Sequence, residues 1–259
     1  MTAGFLPANF ELAADRVEQD LVGLYSFSKI LKFTSNDLAT CVPNTLAKYS
    51  RFLSEEVPGY GYYSWKPEIV YRAISGEFGV CDGIVWIDGG CEILNTPWTR
   101  RNFRKKIDLA EQTGYSVFEL DTPENRFSKR DVINTFNPIT NTDTTPQVQA
   151  THFFLHGEVG REIAKTWFEA GLQGIHMFDH RPSLQGDPED FVLHKSDQSL
   201  LSLSLKSLSA AERMVPPPAG NRGLLSRISA MRAPIWVSRN RNGKSLKGPI
   251  LKLLELLTK

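Results

Sequence analysis

Asp88 stands directly after a continuous apolar run, Ile84-Val85-Trp86-Ile87, and directly before two glycines, Gly89 and Gly90. A run of that length suits a strand buried on both faces. Buried strands of α/β sheets deliver ligand-binding groups at their carboxyl ends, where the sheet opens into a crevice. A carboxylate there, followed by backbone with no Cβ to obstruct a ligand, suits a metal–phosphate or sugar contact. The plain alternative is a strand that ends in a Gly-Gly turn with a solvated aspartate, because Asp and Gly both favour turns.

Three further clusters carry chemistry. In Pro58-Gly59-Tyr60-Gly61-Tyr62-Tyr63-Ser64-Trp65-Lys66-Pro67, glycines alternate with four aromatics and a lysine. Aromatic faces stack on nucleobases and sugar rings, and a lysine such as Lys66 is a point charge for phosphate. The alternative is that Tyr62, Tyr63 and Trp65 are core beneath a loop. The second cluster is His194-Lys195-Ser196-Asp197-Gln198-Ser199, set at an expected helix start where backbone N–H groups favour anions. Asp197 and Gln198 can hydrogen-bond sugar hydroxyls, and Asp197 can act as a base or charge stabiliser. Ordinary helix capping accounts for the same residues. The third is Arg126-Phe127-Ser128-Lys129-Arg130-Asp131, whose cations suit a diphosphate leaving group or simply a solvated basic helix start.

Other chemistries find less support. His152/His156 and His176/His180 are each four apart, but neither pair has the glutamate after the first histidine that an HExxH zinc site needs. A Walker A loop, a GxGxxG turn and a GxSxG elbow are all missing from the sequence. That argues against a P-loop NTPase, a dinucleotide oxidoreductase and an α/β-hydrolase.

Strands alternating with helices must position these residues. Helical spacing predicts amphipathic helices over residues 10–24, 98–113 (basic, stopped by Gly114) and 157–170, with Ile163, Trp167 and Phe168 inward. Asn44 is expected to cap a helix running to about Leu53, Pro67 to open another, and Ser196 to cap a Leu-rich helix over 200–208. Strands are expected over residues 30–33, 84–87, 115–120, 150–155 and, late in the chain, 234–238. Residues 137–147 and 182–190 read as polar loops, 216–220 as a stiff linker, and 250–257 as a final amphipathic helix. The alternation argues for a single α/β domain with a mostly parallel sheet covered on both faces.

Length and composition allow this. A chain of 259 residues can bury a sizeable core, and its 41% apolar and 23% charged shares are those of a soluble globular protein. The amino end has no signal peptide pattern, and no apolar run reaches the ~20 residues that span a bilayer. Cys41, Cys81 and Cys91 are odd in number and lack CxxC spacing, so reduced thiols and a cytoplasmic location are expected. The net charge of +1 hides an asymmetry: residues 213–259 hold ten Lys/Arg against one acid, +9, leaving −8 for residues 1–212. Such a tail keeps the end soluble, binds phosphate or lies on anionic lipid.

Taken together, the four segments resemble a bacterial and viral group of sugar-nucleotide glycosyltransferases of the GT-A fold. That group carries G-x-G-Y-W-x-W-K-P, then a strand ending in D-A-G-C, then a basic Y-T-K-x-D-like segment, then H-R-x-D-Q-S-x-x-S. The matching stretches are Gly59 through Pro67, Asp88-Gly89-Gly90-Cys91, Phe127-Ser128-Lys129-Arg130-Asp131, and His194 through Ser202, in the same order over about residues 10–210. The resemblance implies a three-layer α/β/α GT-A-like domain over residues 1–212 with 213–259 as a basic extension. It implies a hexose donor activated as a nucleoside diphosphate sugar, and a glycan or glycolipid acceptor. Tyr62, Trp65, Lys66, Asp88, Gly89, Gly90, Lys129 and Arg130 would then face the donor, and Asp197 and Gln198 the transferred sugar. Asp88 would stand at the D-x-D position that holds Mn²⁺ or Mg²⁺. Here that motif has one carboxylate, so an ion would need Glu92, a histidine or the phosphates to complete its shell. Tyr63 stands where the group often has Trp. The rival expectations are a catalytically silent nucleotide- or carbohydrate-binding relative on the same scaffold, and a membrane-associated scaffold using the basic tail. No nucleic-acid partner is expected.

Overall fold

The computed structural model describes residues 2–4, 9–136, 144–208 and 235–237. The linker at 216–220, the helix expected at 250–257 and most of the basic tail lie outside the described residues, as do 137–143 of the first loop.

The chain opens with β1 (Thr2–Gly4) and α1 (Asn9–Leu24), whose Ala13, Ala14, Val17, Leu21 and Leu24 form one buried stripe. β2 (Lys32–Thr34) follows, then the short helices α2 (Leu38–Cys41) and α3 (Pro43–Tyr49). Asn44 is not the cap of α3. Pro43 takes the first helical position, and Glu68 from a later helix caps the turn instead. Its carboxylate accepts from the backbone of Asn44 at 3.0 Å and of Thr45 at 2.7 Å, satisfying the orphan N–H groups of the helix start. Next comes α4 (Gly59–Tyr62), a single turn of the wrong hand: φ is +62° at Gly59, +53° at Tyr60, +90° at Gly61, +56° at Tyr62 and +61° at Tyr63. α5 (Lys66–Ile74) starts four residues after Tyr62, with Pro67 in its first turn.

The central strand is β3 (Gly83–Ile87), followed by β4 (Cys91–Ile93) and the long helix α6 (Pro97–Thr113). Thr96 caps α6, accepting from the Thr99 N–H at 3.1 Å, and Gly114 closes it at φ +88°. The strand expected over 115–120 is two strands, β5 (Tyr115–Ser116) and β6 (Glu119–Pro123), which pair with different partners. α7 (Glu124–Phe127) and α8 (Arg130–Phe136) follow. After β7 (Pro146–Val148) come β8 (His152–His156), α9 (Gly157–Gly171) and α10 (Asp197–Ser207). The late strand is β9 (Ile235–Val237).

The expected mostly parallel sheet is not what forms. Among the described residues only the β1–β2 ladder is parallel; β3–β8, β8–β5, β4–β9 and β6–β7 are antiparallel. β8 enters between β3 and β5, so those two run the same way but never pair directly. Ile87 sits opposite His152 and Gly83 opposite His156 in this register. Because side chains alternate across a strand, β3 feeds two apolar clusters. Ile84 and Trp86 pack with Phe153, Leu155 and residues of α5, α9 and α10. Ile87 packs with Phe154 and residues of α1 and α6, and Ile235 of β9 joins this side. The protein is therefore a mixed α/β structure with helices against both faces of β3. The three cysteines form no disulfide. Among the described residues no helix is long and apolar enough to cross a membrane.

Candidate active site

At the carboxyl end of β3 the chain makes a tight turn. The Asp88 N–H donates to Thr151 O at 2.8 Å, and the Cys91 N–H donates to Asp88 O at 3.0 Å. Arg16, buried in α1, donates to the carbonyls of Gly89 at 3.2 Å and Cys91 at 2.9 Å, which ties the Gly89-Gly90 turn to that helix. The Asp88 carboxylate is left partly open, with 28% of its side chain exposed. Trp86, two residues earlier and so on the same side of the strand, donates its indole N–H to Asp88 Oδ1 at 2.7 Å.

Lys66 Nζ lies 3.0 Å from Asp88 Oδ1 and 2.7 Å from Asp197 Oδ2, and it donates to Ala150 O at 3.5 Å. Its side chain is 2% exposed. Burial alone would lower the Lys66 pKa, but Asp197 and Asp88 outweigh it and hold the ammonium above its ordinary value. Burial pushes the Asp197 carboxyl up; Lys66 opposes that shift and Asp88 adds to it. Two carboxylates thus share one ammonium at the end of a buried strand. The arrangement carries a net charge of −1 when all three groups are ionised, with one acid closed off and one reachable from solvent.

The remaining predicted residues occupy distinct places. Tyr62 is half-buried and meets His180 edge-on, ring centroids 5.1 Å apart. Trp65 is buried, donates its N–H to Gly59 O at 3.1 Å and packs 6.3 Å from Trp86, so it belongs to the core under the turn and presents no open face. Gly61 fits because a Cβ there would come within 2.7 Å of Leu53. Gln198 is half-buried, and its amide donates to Gln147 Oε1 at 2.8 Å. Lys129 is buried and bound to Asp179 at 2.8 Å and His176 O, partners distinct from those of Lys66. Burial raises the Asp179 pKa, but hydrogen bonds from Lys129 and Arg181 hold it below the usual carboxylate range. Arg130 begins α8, and its N–H donates to Asp187 at 3.0 Å.

The basic segment and the His194 segment are tied together. The Lys195 N–H donates to Phe127 O at 2.9 Å, and the Lys129 N–H to His194 Nδ1 at 3.3 Å. His194 Nε2 lies 2.8 Å from Met177 O, and Nδ1 is the acceptor, so Nε2 carries the proton. Ser196 stands at the N-cap position of α10, as expected, but its side chain makes no capping bond. It adopts φ +46° and turns its hydroxyl to Phe178 O at 2.8 Å. Behind α10, Glu124 is fully buried and accepts from Ser128, from Gln147 at 3.0 Å, from Ser202 at 2.6 Å and from Lys206.

Sequence reasoning missed Trp86, Gln147, Asp179 and Glu124. Trp86 was readable from strand alternation with Asp88; the others are joined to the motifs only through contacts distant in sequence. A separate cleft of about 640 Å³ opens at the amino end of β3, lined in part by Phe27, Lys29, Phe78, Asp82 and His156. None of the predicted site residues borders it.

The donor set does not suit a protein-held divalent ion. Among the described residues no group of three or more His, Cys, Asp or Glu side chains is placed to hold a metal. Glu92 is fully buried in β4, and the space between Asp88 and Asp197 holds an ammonium.

No known family and no curated protein matches the chain. Among solved structures, it is similar to mouse xyloside xylosyltransferase 1 in the apo form at 13% identity, covering 83% of each chain, TM-score 0.42. It is also similar to the apo WbbM bifunctional glycosyltransferase at 12% identity, covering 85% of this chain and 45% of that one, TM-score 0.36.

Proposed function

We propose that the chain is a GT-A-like glycosyltransferase that moves a hexose from a nucleoside diphosphate sugar to a glycan or glycolipid acceptor. One observation carries this reading. Lys66, Asp88 and Asp197 come from three separate motifs and meet within hydrogen-bond distance at the carboxyl end of a buried strand. In the reaction the bond from the anomeric carbon to the diphosphate oxygen breaks, and the nucleoside diphosphate leaves with the bonding pair. The acceptor oxygen bonds that carbon and gives up its proton to the Asp197 carboxylate or to the departing diphosphate. Asp88, the open acid, orients the sugar–diphosphate. Lys66 offsets the charge that develops on the leaving phosphate, together with Arg130. Asp197 and Gln198 face the anomeric centre and the sugar hydroxyls. Electrostatic stabilisation of the leaving group is the largest catalytic contribution in such a site.

A catalytically silent binder on the same scaffold is the second reading. It is favoured by Asp197 being closed into an ion pair with Lys66. Donor hydrolysis without acceptor separates the two, since a working transferase leaks some and a binder none. The direct test is thermal unfolding of the chain against a panel of nucleoside diphosphates and their sugars. A ligand at ~100 times its Kd adds about 2.7 kcal/mol, a readable shift in midpoint. A shift with one nucleotide, and transfer abolished in a folded Asp88→Asn variant, is the expected result. Near-normal turnover in that variant removes Asp88 from the site, and no shift with any nucleotide ends the reading. Peripheral membrane contact through residues 213–259 from the cytoplasmic side is a separate proposal. It is checked by liposome co-sedimentation with and without that segment.

A further inference from the structure

The space between the two carboxylates is already filled by a cation of the chain itself. Three oxygens of the chain surround the ammonium: it donates to Asp88 Oδ2 at 3.4 Å and to Ala150 O at 3.5 Å, and it forms an ion pair with Asp197 Oδ2 at 2.7 Å. It has little room to withdraw. Lys66 begins α5 between the buried Trp65 and Pro67, and its Nζ lies 5.3 Å from the Tyr63 ring centroid and 5.6 Å from that of Trp86. Both Asp88 oxygens are engaged: Oδ1 accepts the Trp86 N–H and lies 3.0 Å from the ammonium, and Oδ2 accepts from Lys66 at 3.4 Å. A divalent ion placed on these carboxylates would face a fixed positive charge and would have to break both ion pairs. The acidic motif also ends in Gly89-Gly90 with no second carboxylate to recruit.

We infer that the Lys66 ammonium stands in for a divalent metal at this site, so that the donor's diphosphate meets a lysine rather than Mn²⁺ or Mg²⁺. The part concerning the diphosphate rests on the transferase reading; the part concerning the cation does not. The test is Mn²⁺ binding to the full chain, read by electron paramagnetic resonance of free Mn²⁺, for wild type, Lys66→Met, Asp88→Asn and the double variant. Wild type is expected to leave Mn²⁺ free. Lys66→Met, which keeps the volume and removes the charge, is expected to bind one equivalent at least ~10 times more tightly, and the double variant to lose it. One equivalent bound to wild type and lost in Asp88→Asn overturns the inference, and that comparison decides it even if Lys66→Met does not fold. Mn²⁺ bound to neither wild type nor a folded Lys66→Met overturns it too, because the lysine would then replace nothing. Chelator should leave any donor-induced thermal shift unchanged. Failure of every nucleotide to bind would end the transferase reading while the Mn²⁺ comparison still stands.

Discussion

The contacts of Trp86 show how much one side chain sets at this site. Its ring stacks with Phe153, centroids 6.3 Å apart, while its N–H holds Asp88 Oδ1 at 2.7 Å. A hydrogen bond to a charged group contributes about 1.5–3 kcal/mol. Trp86→Phe keeps an aromatic in the stack but frees that oxygen, and nucleotide affinity is expected to fall about tenfold. Titration of ligand against intrinsic fluorescence of the folded variant checks this, and unchanged affinity would show that the bond does not orient Asp88 for binding. At this scale the sequence was readable where a residue type had few uses: an acid after an apolar run, a lysine after aromatics, an aspartate at a helix start. It misled where the partner is distant in the chain. Trp65 has the look of a stacking platform, but its neighbours bury it, and Lys129 has the look of a phosphate ligand, but Asp179 holds it.

Elements are held by a few specific contacts. α10, which carries Asp197, is fixed from behind by the Glu124–Lys206 pair, both ends of which are buried. Lys206→Met leaves an uncompensated buried carboxylate and should cost about 3–5 kcal/mol. Adding Glu124→Gln should recover part of that loss, and denaturant unfolding of the single and double variants measures the coupling. Gly114 ends α6 at φ +88°, and a Cβ there would lie 2.4 Å from Val159 of α9. Gly114→Ala is expected to lower the unfolding free energy by about 1–3 kcal/mol, seen as a lower urea midpoint at unchanged slope. The helices were legible because their buried stripes repeat at 3.6 residues, and Gly114 was legible as a stop. The cap at Asn44 was not, because Glu68 reaches that turn from elsewhere; Ser196 does stand at its N-cap, but its hydroxyl is drawn off to Phe178 O. Strand direction was illegible for a related reason: alternation of helices and strands does not say that β8 inserts backwards between β3 and β5.

Across the whole molecule, burial leaves two histidines neutral. It pushes His152 down to about 3, helped by the nearby charge of Lys106, and His194 likewise to about 3. Below an ordinary histidine value of 6.5 the unfolded chain binds protons that these folded imidazoles refuse, so stability falls as pH drops from about 6.5 towards 3. The thermal midpoint should therefore decline over that window, and less steeply in His152→Phe, whose ring would sit beside Phe118 as the imidazole does at 4.3 Å. Equal slopes in the two proteins would show that His152 is not one of the groups responsible. Such tertiary burial has no local signal in the sequence. The reversed hand of residues 59–63 has another consequence. Three tyrosines there, Tyr60, Tyr62 and Tyr63, sit in a conformation that L-residues resist by about 1–2 kcal/mol each. Mirror-image tyrosines would occupy those positions without that resistance, so a semisynthetic chain carrying D-tyrosine at them would melt later than the natural one. Folding itself therefore does the work of arranging the turn in front of Lys66, and a ligand arriving there finds it already done.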